Sequence, residues 1–301
     1  MERFLQNIIS AITMGSIYAL VALGFNIIYN ATGIINFAQG EFVMLGGMLM
    51  FFFAAAIGLP LPFAFVAAVL CVILVGFILE RGCINPLKKP SILTLVMITI
   101  AASIIIKGVT MHVAGKETHS IDYFSGYNTT IKIPLFSAGA GIVVPTQTLW
   151  VLGTLSVVVI GLVIFFNFTL AGKAMRACAV ERTAASLMGI PTKRFVMLSF
   201  LLSALIGGMA GAVVMPLTQV DYQSGAMFGI KGFGAAVLGG LGNNMGAVFA
   251  GLFIGILEAI TAGYISSHYK DAIPLLVLLL VLFVRPSGFF GSRAAARLKK
   301  F

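Results

Sequence analysis

Nine apolar runs divide this chain, at roughly 6–29, 34–57, 61–80, 91–113, 147–169, 195–217, 226–242, 245–265 and 271–285. A helix needs about 20 mostly apolar residues to cross the hydrocarbon core of a bilayer. Most of the runs meet that length, while the seventh and ninth are short. The chain therefore reads as an all-α, polytopic membrane protein, one transmembrane domain over residues 1–301, with eight or nine transmembrane helices. The short runs leave room for one broken or re-entrant helix, which is tolerated only where protein or a water-filled cavity covers the irregular backbone. Composition agrees: 9% of the residues are charged and the mean hydropathy is +1.08, whereas soluble domains carry about 25% charged residues.

The cations lie between the runs, which sets an orientation. Arg81, Lys88 and Lys89 follow the third run; Lys173, Arg176, Arg182, Lys193 and Arg194 follow the fifth; Arg285, Arg293, Arg297, Lys299 and Lys300 follow the last. By the positive-inside rule these three clusters, and with them the C-terminus, face the cytoplasm of a multi-pass inner-membrane protein. The long loop 114–146 balances Lys116 and Lys132 against Glu117 and Asp122 and is then external, with Trp150 at the outer interface. Nine crossings put the N-terminus outside; a broken element near residues 30–40 would put it inside. No convincing signal-peptide cleavage site follows the start, MERFLQNIISAITMGSIYALVALGF. The net charge of +10 does not point to nucleic acid, because the charges are not gathered on one aromatic-interleaved face.

No catalytic set is visible. His112, His119 and His268 fall at run ends or in external loops, and Cys71, Cys83 and Cys178 have no metal-ligand spacing. No metal or cofactor is expected. The glycine-rich, lysine-containing phosphate loop is missing, so this chain does not itself hold ATP. What stands out are ionisable groups inside apolar runs, which are costly there and are candidates for function. Glu41, in the polar stretch with Asn36 and Gln39, and Glu258 are read as lining a polar pathway or as buried partners of other helices. Asn26 and Asn30 would add neutral groups to the first-half region. Lys107 and Lys231 are expected to snorkel outward, and Gln219, Asp221 and Tyr222 to form an external loop or gate. The ladder Gly242, Gly246, Ala250, Gly251 and Gly255 predicts close helix packing. Gly33–Gly47 and Gly229–Gly240 echo one another faintly, which is slight support for an internal repeat.

The stretch Ala171 to Arg194 is the long charged interruption of the apolar pattern. Gly172 to Ala179 and Glu181 to Met188 are rich in good helix formers, and Gly189 with Pro191 stops the second piece. Ala184, Leu187 and Met188 share one face at three- and four-residue spacing, with Arg182 and Ser186 elsewhere. Such a helix suits a groove on a partner protein or the surface of anionic lipid.

Within this loop GKAMRACAVERTAASLMGI, followed by SALIGGMAG, resembles the cytoplasmic coupling loop of bacterial ABC-importer permeases, and most of all the branched-chain amino acid permease family. ALVALGFNIIYNATGIINFAQGEFVMLGG (Ala19 to Gly47) and KGFGAAVLGGLGNNMGAVFAGLFIGILE (Lys231 to Glu258) are similar to that family's N- and C-terminal signatures, in the same order. The resemblance implies an importer of leucine, isoleucine or valine. It would be built from this chain, a second homologous permease, two cytoplasmic ATP-binding subunits and an external solute-binding protein. It also implies a coupling role for Gly172, Ala179, Glu181, Ala184 and Gly189, with Arg176, Arg182, Leu187 and Met188 around them. Related permeases carry urea, amides or other amino acids. An ion-coupled transporter using Glu41 or Glu258 is the reading from a different class.

Overall fold

A computed structural model describes residues 2–87, 91–126, 130–134 and 141–291, without the side chains of residues 2, 3, 132–134, 141, 142 and 182. Lys88, Lys89, Arg293, Arg297, Lys299 and Lys300 lie outside the described residues. Among the described residues eleven α-helices run in order: α1 Glu2–Thr32, α2 Gln39–Phe51, α3 Leu61–Leu79, α4 Ile92–Ala114, α5 Thr146–Phe168, α6 Leu170–Val180, α7 Arg182–Leu187, α8 Thr192–Val214, α9 Ser224–Gly239, α10 Asn244–Ile260 and α11 Ala272–Val284. π-helical turns prolong α2 to Ala56, α3 to Ile84 and α10 to Ile265. Seven of the helices, counted with these turns, are long and apolar enough to cross a membrane. The other two apolar runs form α9, of 16 residues, and α11, of 13. At a rise of 1.5 Å per residue they span about 24 and 20 Å, short of the roughly 30 Å hydrocarbon core.

The run expected at 34–57 begins as a helix only at Gln39, so α1 and α2 are parted by non-helical backbone at 33–38. Gly33, at φ +72°, makes the turn. Inside the bundle this backbone needs partners, and it has them. The Ala38 N–H donates to Asn36 Oδ1, the Phe37 N–H to Thr99 Oγ1 of α4, and the Gln39 N–H to the Asn36 carbonyl.

Burial separates the helices. In its most apolar 18-residue window α1 has 72% of its residues buried and α8 67%, against 17% for α4. α1 packs along α10, α8 and α9, and α2 packs between α8 and α9. The peripheral helices turn Ile104, Ile105, Val157, Ile160, Leu279 and Phe283 outward, as helices do whose solvent is lipid. Small residues set the central crossing. A Cβ on Gly15 would stand 2.8 Å from Leu252 Cα, and one on Gly251 2.6 Å from Ala19 Cα. Close packing is thus what the glycine ladder serves.

The loop 114–146 holds an antiparallel hairpin, β1 Thr130–Pro134 against β2 Gly141–Pro145, with Thr130 opposite Pro145. Gln6 Nε2 donates to the Val143 carbonyl at 2.8 Å, placing the start of α1 at the same end of the bundle as the hairpin. Trp150 is half exposed at that end, its indole N–H donating to Ser125 Oγ at 3.0 Å.

Candidate functional site

At the end of the bundle opposite the hairpin, α5 leads into a two-helix step. The Thr169 side chain caps α6 by accepting from the Gly172 N–H at 3.0 Å. Gly172 is there because α6 folds back against α5: a Cβ would lie 2.6 Å from Phe166 Cα. Glu181 separates the helices with extended backbone, and its carboxylate caps α7 by accepting from the Thr183 N–H at 3.1 Å. α7 closes with a Schellman arrangement: Ile190 N–H to the Ala185 carbonyl, Gly189 N–H to the Ser186 carbonyl, and Gly189 at φ +80°. The expected helical pieces, 172–179 and 181–188, therefore match α6 and α7 to within two residues.

The step presents an apolar surface to its surroundings. Ala185 points into the bundle, while Ala184, Leu187 and Met188 are exposed, the last two at 85% and 83%. Val180 is 86% exposed. Arg176 is turned elsewhere, toward α5, where its Nη1 donates to Asn167 Oδ1 at 3.3 Å. Ala179 sits with it on the wall of a pocket beside α5. The Arg182 side chain lies outside the described residues.

Asn36, Gln39 and Glu41 do come together, around the start of α2. Gln39 is fully buried; its Nε2 donates to the Ser203 carbonyl at 3.3 Å and its Oε1 accepts from the Ser203 hydroxyl, which also reaches the Gly24 carbonyl at 3.0 Å. Glu41 accepts from Ser103 Oγ of α4 at 3.0 Å, and its second oxygen has no hydrogen-bond partner. That oxygen abuts Gly225 in the first turn of α9, where the missing Cβ makes room for it. A carboxylate beside a helix N-terminus is favoured by the dipole. Asn36 Nδ2 is also without a partner.

Glu258 belongs to a different cluster. Tyr18 of α1 donates to Glu258 Oε2 at 2.6 Å, Lys231 Nζ of α9 lies 3.0 Å from the same oxygen, and Lys231 also stands 3.0 Å from the Tyr18 hydroxyl. Asp271, just before α11, completes an ion pair with Lys231 at 2.6 Å. Lys231 does not snorkel as expected; it is 7% exposed because two carboxylates hold it inside the bundle. Lys107 leans instead toward Tyr222, 6.0 Å from the ring centre. Asn26 and Asn30 stay apart from the Glu41 group. They bond Gly242 and Asn243, tying α1 to the turn between α9 and α10. Asp221 Oδ1 accepts from the Ser224 N–H and hydroxyl and from the Gln223 N–H, so it organises the first turn of α9.

Sequence reasoning passed over Tyr18 and Glu80. A tyrosine in an apolar run gives no local sign of a partner 240 positions away. Glu80, the last residue of the run at 61–80, is 1% exposed in the π-helical turn after α3, with one carboxylate oxygen unpartnered. Among the described residues no group of three or more His, Cys, Asp or Glu could hold a metal.

The chain is 34% identical over 298 residues to the high-affinity branched-chain amino acid transport system permease protein LivH of Escherichia coli K12, with 96% of each chain covered. It is 31% identical to the corresponding protein BraD of Pseudomonas aeruginosa, again with 96% of each covered. Among solved structures, PsaBC from Streptococcus pneumoniae in complex with Fab aligns at a TM-score of 0.49 and 15% identity, covering 100% of this chain and 96% of that one. The family model described as branched-chain amino acid transport system, permease component, matches residues 7–282, and the chain belongs to that family.

Proposed function

We propose that this chain forms the translocation pathway for leucine, isoleucine and valine as one of two permeases in an ATP-driven importer. As a permease component it is a transport subunit of the inner membrane and not an enzyme. Its family works with ATP-hydrolysing and solute-binding partners. In our reading those are two cytoplasmic ATP-binding subunits, a second homologous permease and an external solute-binding protein that delivers the amino acid. Residues 1–301 act as one transmembrane domain with a cytoplasmic C-terminus. With the start of α1 beside the hairpin, we place the N-terminus on the external side, the break at 33–38 adding no crossing of its own.

The observation that carries this reading is the exposed α6–α7 step in a chain of this family. Val180, Leu187 and Met188 are more than four-fifths exposed on a rigid, doubly capped corner, which is what an apolar groove on an ATPase would receive. Gly172, Glu181 and Gly189 shape that corner, and Ala184 keeps its docking face small. Nucleotide-driven closure would move the corner and α5 and α8 with it, since α6 packs on α5 and α7 on α8. Asn36, Gln39 and Glu41 flank the pathway. Glu258 serves it through the ionic tie among α1, α9 and the start of α11.

Proteoliposomes containing both permeases, the ATPases and the binding protein provide the test. Radiolabelled leucine, isoleucine and valine should accumulate only with ATP and binding protein present. Accumulation driven by a proton gradient with the ATPases left out would overturn the assignment, and uptake of urea in place of the three amino acids would overturn the cargo.

A further inference from the structure

A pocket of about 950 Å³ opens beside the α6 step. That is the upper end of the range for ligand pockets, about 300–1,000 Å³. α1 lines it from Leu23 to Asn30, about 10 Å of helix at 1.5 Å per residue, with Gly33 just beyond. α5 lines one side through Val159, Leu162, Val163 and Phe166, and α10 the other through Met245 and Val248. These are helices long and apolar enough to cross the membrane, and Val163 is 42% exposed on the outer face of α5. The slot is therefore accessible along its α5 wall.

Its far end has a different chemistry. Arg176 of α6 lines this end together with Asn167, Asn30, Asn244 and Ser287. Among the described residues Arg176 is the one charged residue on the wall, and no carboxylate faces it there. Its hydrogen bond to the neutral Asn167 leaves most of the five guanidinium donors for other acceptors. An apolar slot at bilayer depth, with a guanidinium and amides where the helices leave the hydrocarbon, matches a phospholipid in shape and charge.

We propose that this pocket holds one anionic phospholipid. Its acyl chain lies between α5 and α10 over α1, and its phosphate is bound by Arg176 and Asn167. The lipid would join the coupling step to the α9–α10 turn and to the segment after α11, both of which contribute walls. The proposal is independent of the cargo, and it shares Arg176, Ala179 and Val180 with the α6–α7 step.

The full chain, purified in detergent and stripped of lipid, would be offered equal phosphatidylglycerol and phosphatidylcholine and examined by native mass spectrometry. We expect one phosphatidylglycerol retained at least fivefold over phosphatidylcholine. Arg176→Gln, on an exposed residue that leaves the core untouched, should bring the two lipids to parity. Val163→Trp, which fills the slot, should reduce both. Millimolar inorganic phosphate should leave the lipid bound. Equal retention of the two lipids by the wild-type chain would overturn the proposal. So would an undiminished preference in Arg176→Gln, or displacement of the lipid by phosphate alone.

Discussion

Lys231 Nζ lies 3.0 Å from Glu258 Oε2 in the interior of the bundle, with both side chains nearly inaccessible. One ammonium from α9 thereby faces one carboxylate from α10. A second carboxylate, from Asp271 at the head of α11, and the Tyr18 hydroxyl of α1 complete its surroundings. Four segments far apart in sequence are fixed in one register by this group. Removing one partner of a buried pair leaves an uncompensated charge and costs about 3–5 kcal/mol, whereas replacing the pair together is often nearly neutral.

Lys231→Met is accordingly expected to lower the thermal midpoint of the detergent-solubilised chain sharply. Lys231→Met combined with Glu258→Gln should recover much of the loss, since Asp271 is more exposed than Glu258 and retains water. Thermal unfolding of the two single variants and the double variant checks this. Additive losses would show that the pair is not coupled.

At Gly189 the backbone itself sets the constraint. Its φ of +80° strains side chains of the L series, yet nothing lies within 4 Å of where a Cβ would be. Conformation and not space is limiting, so asparagine, which tolerates the left-handed region, should behave nearly as glycine. Gly189→Val, β-branched, should misdirect the end of α7 while the transmembrane core stays folded. The expected readout in the reconstituted importer is ATP hydrolysis uncoupled from uptake for valine and near-normal coupling for asparagine.

Leu187 and Met188 test the docking surface without touching the fold. Both are over 80% exposed, and surface changes of this kind usually alter stability by less than about 0.5 kcal/mol. Leu187→Asp combined with Met188→Asp should leave the melting temperature in place. Association with the ATPases, measured by pull-down or surface plasmon resonance, should weaken at least tenfold, which is about 1.4 kcal/mol. Unchanged association would remove α7 from the interface.

Much of this architecture was legible because membranes enforce it. Apolar runs at 6–29, 61–80 and 91–113 became α1, α3 and α4, since a backbone in lipid has few alternatives to a helix. The α6–α7 step was legible for a different reason: caps and stops act over three or four residues, so Glu181 and Gly189 announce their capping and stop roles locally. The break at 33–38 and the turn after α9 were harder, because their irregular backbone is satisfied by Thr99, Asn26 and other residues remote in sequence. The same holds for Lys231. Its spacing suggested a snorkelling side chain, and only the fold reveals the carboxylates that reverse the expectation. The pairing of β1 with β2 escaped notice because six β-forming residues, set among two prolines, a glycine and Lys132 in a long neutral loop, carry little weight beside nine apolar runs.

The contact between Glu41 and Gly225 supplies the last prediction. α2 meets α9 where Gly40 faces Gly225 and Gly229, and the Glu41 carboxylate occupies the space a side chain at Gly225 would need. Gly225→Ala should therefore push apart α2 and α9 or expel the carboxylate, at about 1–3 kcal/mol as for other overpacked sites. Glu41→Gln keeps an oxygen for Ser103 Oγ but loses its charge toward the α9 N-terminus, a smaller term of about 0.3–1 kcal/mol. If Glu41 only braces α2 against α9, Glu41→Gln should transport almost normally while Gly225→Ala is both unstable and slow. If the carboxylate also meets cargo in the pathway, Glu41→Gln should keep the wild-type melting temperature and still lose uptake. Measuring melting temperature and ATP-dependent leucine uptake on the same two preparations separates these outcomes. A stable Glu41→Gln variant with lost uptake would assign Glu41 to the pathway directly.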